Sequence, residues 1–285
     1  MSYDHILMAT YGFQTGGAEV LASDLALHLQ DRGKRVSMLA THGGHGPISD
    51  HLTAAGIHCY LVESQNLNPL ARRWRIYRLF RELRPDVFHA HHFALFRYSY
   101  PPARLACGPT SVVTEHTDFE YTRFPDYLKA AKYSARHADA ITVVHPGMQQ
   151  SFTERVSIAP GKLLTLENGV DVEAFRPRES STGFRASVGV AKDDVLIGFV
   201  GRLHHQKNVA GLIRALGAVH RNHPACRLVL VGDGPDEAEL KELAIAEGVA
   251  DVAHFLGRRE DIRDILPDLD IFVLPSLTEG LPMVI

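Results

Sequence analysis

The stretch Val195-Leu-Ile-Gly-Phe-Val-Gly-Arg-Leu-His-His-Gln-Lys-Asn208 contains the pattern that decides the fold: an apolar run, a glycine and a polar loop before a helical segment. A run that is apolar along its whole length is typical of a parallel strand buried on both faces. Ligands of open α/β sheets bind at the carboxyl ends of such strands. Arg202 and Lys207 are therefore predicted to lie on the ligand side, as two cations suited to a diphosphate. An ordinary solvated loop is the alternative.

Short apolar runs and longer helical patterns alternate on both sides of this stretch. Residues 1–175 are predicted to form one doubly wound domain, beginning with a strand over 5–10 and a helix over 17–32. The polar segment 176–194 is predicted to be an interdomain connector. Residues 195–285 are predicted to form a second domain. The sequence thus predicts an α/β protein with two Rossmann-like domains facing across a cleft.

The second domain reaches Glu279-Gly-Leu-Pro-Met-Val-Ile285 after four predicted strands, where a new helix is expected to start. An apolar terminus and an unfinished sheet edge are features that natural domains avoid. We therefore expect the second domain to be incomplete, which leaves open whether this chain alone is stable and active.

Composition narrows the classes of function. The chain has 285 residues, of which 45% are hydrophobic and 22% charged, as in soluble globular proteins. Its formal net charge of −3 provides no field for binding nucleic acid. The distant Cys59, Cys107 and Cys226 argue against a disulfide framework. Neither a signal peptide nor an apolar run of about 18 residues is visible, so a cytoplasmic location is expected.

The histidines raise the question of a metal, because there are 17 of them. The closest clusters, His42/His45 and His89/His91/His92, lack a helical i, i+4 pair and nearby Cys or carboxylate ligands. Asp268-Leu-Asp270 begins an apolar strand and is interpreted as an element boundary. The sequence therefore predicts neither a metal site nor a cofactor.

Three glycine motifs follow predicted strands. Gly16-Gly17 precedes the first helix, where backbone N–H groups can bind a phosphate, although a plain turn fits too. Val231-Gly-Asp-Gly-Pro235 lacks the third glycine of a dinucleotide fingerprint, which favours a structural turn. Gly257, followed by Arg258, could let a flat base lie against the backbone, or could form a simple turn.

Polar residues at other strand ends are candidates for sugar contacts. Glu279 can accept hydrogen bonds from hydroxyls while the amides of 280–282 bind phosphate oxygens, or it can simply satisfy a helix N-terminus. Asp86-Val-Phe-His-Ala-His91 and Thr114-Glu-His-Thr117 both end strands, and His116 in the second is the favoured functional residue. A satisfied buried histidine is the alternative.

The segment 70–83 is an amphipathic helix with an arginine face. It could contact anionic lipid at the inner membrane face. A helix that packs on the core and exposes a solvated charged face is the simpler interpretation.

In chain order, these motifs resemble glycosyltransferase family 4 of the GT-B fold over essentially the whole chain. The residues that carry the resemblance are Gly16-Gly-Ala-Glu19, His116, Asn168-Gly-Val-Asp171, Gly201-Arg202 with Lys207, and Glu279-Gly-Leu-Pro282. The family has a second glutamate eight residues after the one matched by Glu279, which lies beyond Ile285.

The resemblance implies a retaining transferase that moves a sugar from a nucleoside diphosphate to a glycan, lipid-linked or small-molecule acceptor in polysaccharide biosynthesis, without an essential metal. Arg202 and Lys207 would neutralise the leaving diphosphate, and His116 and Glu279 would contact the sugar. The other donor-binding residues it implies are Gly16, Gly17, Asn168, Gly257, Arg258, Gly280, Leu281 and Pro282. A sugar-nucleotide epimerase, a phosphorylase and a non-catalytic nucleotide-sugar binding fragment are the alternatives, because one fold serves several functions.

Overall fold

Two parallel β-sheets organise the chain. The computed structural model describes residues 3–62, 68–117, 125–173, 175–176 and 183–285. They form two compact units, the first comprising Met1–Gly169 with Gly280–Met283 and the second Val170–Glu279 with Val284–Ile285. No helix in these ranges is long and apolar enough to span a bilayer.

The first unit contains a seven-stranded parallel sheet. Its strands are β1 His5–Thr10, β2 Arg35–Ala40, β3 His58–Leu61, β4 Val87–His91, β5 Thr110–Glu115, β6 Ala140–Val143 and β7 Leu163–Thr165. Their order, β3-β2-β1-β4-β5-β6-β7, reverses direction between β1 and β4. Such a reversal opens a crevice at the carboxyl ends of the strands, where ligands bind in doubly wound folds.

Helices connect these strands. They are α1 Gly17–Asp31, α2 Pro47–Ala54, α3 Pro69–Leu83, α4 Phe93–Ala106, α5 Pro125–His137 and α6 Pro146–Arg155. Helices α2 and α6 were not among those predicted from the sequence. Both are short and begin with a proline at the first helical position, where its missing N–H has no intrahelical partner to lose.

The second unit contains a four-stranded parallel sheet of order β10-β9-β8-β11. Its strands are β8 Val195–Val200, β9 Cys226–Val231, β10 Ala253–Gly257 and β11 Ile271–Phe272. Its helices are α7 Phe184–Ser187, α8 Val209–His220, α9 Glu237–Ala246 and α10 Ile262–Ile265. No helix follows Phe272 in the described residues, so the helix expected after Glu279 is not found; residues 280–283 instead pack with the first unit.

The central strands of both sheets are buried on their two faces, as apolar runs predict. In β1, Leu7 packs into one hydrophobic cluster and the next residue, Met8, into another, because successive side chains point to opposite faces. Leu228 and Val229 of β9 divide in the same way between two clusters of the second unit. An apolar run without polar alternation is therefore what this fold requires.

The predicted connector 176–194 contributes to the second unit from Gly183 onward. Phe184 is buried in a cluster with Val190 and Leu196, although it lies on a helix of only 4 residues. A single turn is too short to show apolar periodicity, which is why the sequence did not indicate it. The division between the units falls after Gly169, whereas the sequence placed the first domain boundary at 175.

Candidate functional site

The loop after β8 is held at the carboxyl end of the second sheet. The Gly201 amide donates to the carbonyl oxygen of Val231 at 2.9 Å, and a 3-10 turn spans His205–Lys207. Arg202 is exposed and forms no ion pair with any residue that the structure describes. Its guanidinium is therefore available for an anionic ligand.

Lys207 and Glu279, distant in sequence, are paired in the second unit. The Lys207 Nζ atom lies 2.5 Å from Glu279 Oε1, with side chains 25% and 23% exposed. The Leu277 amide donates to the Gln206 carbonyl oxygen at 2.8 Å, which holds the two segments together. Water still reaches this pair, so it contributes little to stability and its partners can be exchanged for a ligand.

Two glycines beneath this loop have a structural role. A Cβ on Gly232 would overlap the carbonyl oxygen of Gly201, and a Cβ on Gly234 would overlap that of Leu203. Gly232 also has a φ of +131°. The interpretation of this motif as a strand-to-helix turn, and not a dinucleotide fingerprint, agrees with these close backbone contacts.

Gly257 and Arg258 follow β10. Gly257 has a φ of +63°, which favours glycine, and its carbonyl oxygen accepts a hydrogen bond from the Gly232 amide at 2.7 Å. Nothing lies within 4 Å of its Cβ position, and Arg258 is exposed. A turn explains the backbone conformation of Gly257, and the open space beside this residue leaves room for a ligand.

In the first unit, Gly16 is the N-cap residue of α1 in an extended conformation, and the anion-binding role of this turn stays a prediction. No atom lies within 4 Å of the Cβ position of Gly17, so packing does not require glycine there. Burial raises the pKa of the nearby Glu19 carboxyl, although a backbone hydrogen bond and the charge of His92 oppose the shift.

Four histidines converge at the carboxyl ends of β4 and β5. His116 Nε2 lies 3.0 Å from His91 Nδ1, and the two ring planes are 11° apart with centroids separated by 5.2 Å, as in an in-plane hydrogen bond. The His92 ring meets that of His116 edge to face, with centroids 5.2 Å apart. His89 Nε2 lies 2.7 Å from Thr114 Oγ1. The sequence favoured His116 as the functional residue among these side chains. The structure shows that the other three histidines lie in one cluster with it.

The Glu115 carboxylate organises this cluster and was not predicted from the sequence. It is fully buried, accepts hydrogen bonds from the backbone amides of Phe93 and His116, both at 3.0 Å, and lies 2.8 Å from His92 Nδ1. His92 has a φ of +91°, uncommon for a residue with a side chain. The carboxylate therefore fixes the backbone on which His116 sits.

The enclosed histidines are held neutral. Burial lowers the pKa of His89 to about 4. Burial, followed by the charges of neighbouring histidines, holds the pKa of His91 and of His116 well below the usual range. Near neutral pH these rings exchange hydrogen bonds without carrying positive charge.

Residues 280–283 lie against His116. A Cβ on Gly280 would overlap the His116 carbonyl oxygen, so only glycine fits. Asn168 Nδ2 donates to the Leu281 carbonyl oxygen at 3.1 Å, and the Leu281 side chain packs on a cluster that contains Val144. Asn168 thus holds the segment in place, while Pro282 is partly exposed within it.

No cluster of three or more potential metal ligands occurs in the described ranges. The carboxylates of the one D-x-D string serve the fold. Asp270 Oδ2 accepts from the Leu196 amide at 2.7 Å and from Arg185 Nη1 at 2.9 Å. The Arg185 amide donates to Asp268 at 3.3 Å.

Helix α3 buries Ile76 and Phe80 in the core, and it exposes Leu70 and Trp74 to 77% and 58%. The helix therefore packs on the core, as the simpler interpretation requires, but its exposed side includes two apolar residues as well as charged ones. A separate cavity of about 340 Å³ lies on α4 and α5. Its lining residues are Arg97, Lys129, Lys132, Tyr133, Arg136 and His137.

Profiles of known families match both units. Residues 15–174 match Glycosyltransferase Family 4, and residues 181–285 match Glycosyl transferases group 1. The chain is 27% identical over 292 residues to the Putative glycosyltransferase EpsF of Bacillus subtilis, covering 100% of this chain and 76% of that protein. It is 29% identical over 254 residues to the UDP-Gal:alpha-D-GlcNAc-diphosphoundecaprenol alpha-1,3-galactosyltransferase of Escherichia coli, covering 84% of this chain and 65% of that protein.

Solved structures share the fold. Anabaena Alr3699/HepE in complex with UDP and glucose aligns with a TM-score of 0.84 at 21% identity, over 98% of this chain and 76% of that one. WaaG, a glycosyltransferase involved in lipopolysaccharide biosynthesis, aligns with a TM-score of 0.72 at 16% identity, over 96% of this chain and 76% of that one. These likenesses support a fold of two Rossmann-like domains.

Proposed function

The chain belongs to glycosyltransferase family 4, and on this premise we propose that it transfers a sugar from a nucleoside diphosphate-sugar to an acceptor hydroxyl with retention of anomeric configuration. The observation that carries the proposal is the group of charged side chains at the carboxyl end of β8, where Arg202 is unpaired among the described residues and Lys207 meets Glu279.

The cations act on the leaving group. Breaking the anomeric C–O bond builds positive charge on the sugar and negative charge on the departing diphosphate. Arg202 offers paired N–H donors to phosphate oxygens, and Lys207 adds a compact charge. Both interactions strengthen as the bond breaks, and such differential stabilisation is what lowers a barrier.

Glu279 acts on the sugar. Its carboxylate is paired with Lys207 at 2.5 Å. When a diphosphate arrives, Lys207 turns to the phosphate oxygens and the Glu279 carboxylate accepts hydrogen bonds from sugar hydroxyls. The partial exposure of both side chains supports this exchange, because a solvated pair separates at little cost.

His116 contributes a neutral imidazole to the sugar, since burial keeps its pKa well below the usual range. The amides at Gly16 and Gly17 receive phosphate oxygens at the N-terminus of α1. The open space at Gly257, beside Arg258, receives the base. We propose a uridine donor, because the Escherichia coli relative is named for UDP-Gal and one neighbour is titled with UDP-glucose.

The acceptor is proposed to be lipid-linked and presented at the cytoplasmic face of a membrane. The name of the Escherichia coli relative specifies a diphosphoundecaprenol acceptor. The cationic cavity on α4 and α5, together with the exposed Leu70 and Trp74 of α3, supports contact with anionic lipid.

We propose that transfer needs no divalent metal. Arg202 and Lys207 supply the positive charge that a metal would bring to the diphosphate. The D-x-D carboxylates support this, since both are engaged in hydrogen bonds of the second unit.

A transfer assay tests the function. The chain is incubated with UDP-glucose or UDP-galactose and a diphosphoundecaprenol-linked N-acetylglucosamine acceptor, in anionic or neutral vesicles, with and without EDTA. We expect an α-linked product and free UDP, faster on anionic vesicles and unchanged by EDTA.

The alternative functions give other results in this assay. Isomerised donor without acceptor would show an epimerase, a requirement for free phosphate would show a phosphorylase, and donor binding without turnover would show a binding fragment. Loss of activity in EDTA with rescue by Mn²⁺ would contradict the metal-free proposal.

A further inference from the structure

His91 is a buried neighbour of His116 that the proposed mechanism does not use. It is 1% exposed, and its Nδ1 lies 3.0 Å from His116 Nε2. Its other ring nitrogen, Nε2, is buried and has no hydrogen-bond partner in the described part of the chain. His116 makes no other side-chain hydrogen bond within that part, so its Nδ1 remains for a ligand.

One hydrogen lies between the two rings, and the ring that carries it determines whether the Nδ1 atom of His116 donates or accepts a hydrogen bond. If His116 donated through Nε2, the neutral His91 would carry its own hydrogen on the buried Nε2, as a donor without an acceptor. If His91 donates through Nδ1, its Nε2 is a bare acceptor instead. Among buried backbone groups, N–H donors without a partner are rarer than under-satisfied carbonyl acceptors, and we extend this preference to the imidazole nitrogen of His91. The second arrangement is therefore favoured.

We propose that His91 is a positioning residue that holds His116 as the Nδ1–H tautomer, so that His116 offers a hydrogen-bond donor to an oxygen of the donor sugar. This inference rests on the proposed function for the identity of the ligand, whereas the tautomer rests on the contacts of His91 alone. Burial keeps both rings neutral, which is the condition for a single tautomer.

The tautomer has a chemical consequence. An Nδ1–H group recognises the lone pair of a hydroxyl oxygen, and it cannot remove a proton from the acceptor. A sugar that lacks an oxygen at that position leaves the donor unpaired and binds more weakly. His116 thus selects the sugar, and His91 determines the form in which it does so.

Nitrogen-15 NMR of the imidazole rings tests the tautomer directly. In the unmodified chain near pH 7.5 we expect the His116 hydrogen on Nδ1. His91→Phe keeps a flat ring but removes the donor, and should shift hydrogen to His116 Nε2. His91→Asn places an amide nitrogen near the position of Nδ1 and should restore the original tautomer. The control His89→Phe changes the adjacent ring, 4.5 Å from that of His91, and should leave His116 unchanged.

Two results would overturn the proposal: a His116 hydrogen on Nε2 in the unmodified chain, or an unchanged tautomer in His91→Phe. If His91→Phe does not fold, the first result and the His91→Asn spectrum still decide.

Calorimetry then separates the tautomer from the sugar contact. We expect His91→Phe to weaken binding of UDP-glucose about threefold to tenfold and to leave UDP binding unchanged. Equal affinities of the unmodified chain and His91→Phe for UDP-glucose would refute the claim that the tautomer of His116 determines binding of the sugar. A chain that binds neither ligand would refute the proposed function, while the NMR result would still decide the role of His91.

Discussion

At Gly280 the absence of a side chain allows residues 280–283 to lie against the end of β5. An added Cβ would overlap the His116 carbonyl oxygen, which belongs to a backbone fixed by the buried Glu115 and cannot move away freely. At Gly169, by contrast, nothing lies within 4 Å of the Cβ position. The two glycines therefore form a matched pair for testing the contact.

Gly280→Ala should lower the free energy of opening of the segment 280–283 by about 1–3 kcal/mol, because the new methyl group forces a backbone shift. Gly169→Ala should leave that opening unchanged. Hydrogen exchange of the amides in the segment measures both. Equal protection in the two variants would show that Gly280 is not required by packing.

Individual residues differ in how far sequence could predict them. Lys207 and Glu279 follow strands, so the general rule for open sheets is enough to predict both on the ligand side from the sequence alone. Glu115 could not be identified in that way, because its role depends on contacts with His92 and Phe93, 23 and 22 residues away. The positive φ of His92 that permits these contacts has no signature such as glycine in the sequence.

At the scale of elements, strands were easier to predict than helices. Each of the eleven strands in the described residues lies close to an apolar run seen in the sequence, because burial on both faces leaves continuous apolar segments. Helices α2, α6 and α7 were not predicted, since 8, 10 and 4 residues give too little periodicity to recognise.

The buried histidines on β4 and at the end of β5 also make the free energy of unfolding depend on pH. The pKa of His89 is lowered by burial from 6.5 to about 4, and those of His91 and His116 are lowered too. Above pH 6.5 neither the folded nor the unfolded chain protonates these groups. Below pH 6.5 the unfolded chain binds more protons than the folded chain, so the free energy of unfolding falls as the pH is lowered. For His89 this fall ends near pH 4.

Urea unfolding near pH 7.5 and 5.5 should therefore show lower stability at the lower pH, by up to about 1.4 kcal/mol per pH unit for each such histidine. His89→Phe should weaken this pH dependence, whatever its effect at pH 7.5. The same pH dependence in the variant, or greater stability near pH 5.5, would contradict a neutral buried His89.

At the scale of the whole molecule, two parallel sheets and the family assignment agree with the fold class predicted from the sequence. The order of strands follows from doubly wound topology, which the alternation of strands and helices indicates. That the two domains face across a cleft stays a prediction, as do the roles of the individual site residues.

The central claim is that Arg202 and Lys207 receive the departing diphosphate, and turnover of the variant Lys207→Ala tests it most directly. In the transfer assay, Lys207→Ala should lower kcat by about 10²–10³, the loss typical of removing one preorganised group that stabilises transition-state charge. Lys192→Ala, which removes an exposed lysine of the same unit, should retain full activity. Near-normal turnover in a folded Lys207→Ala variant would contradict the account.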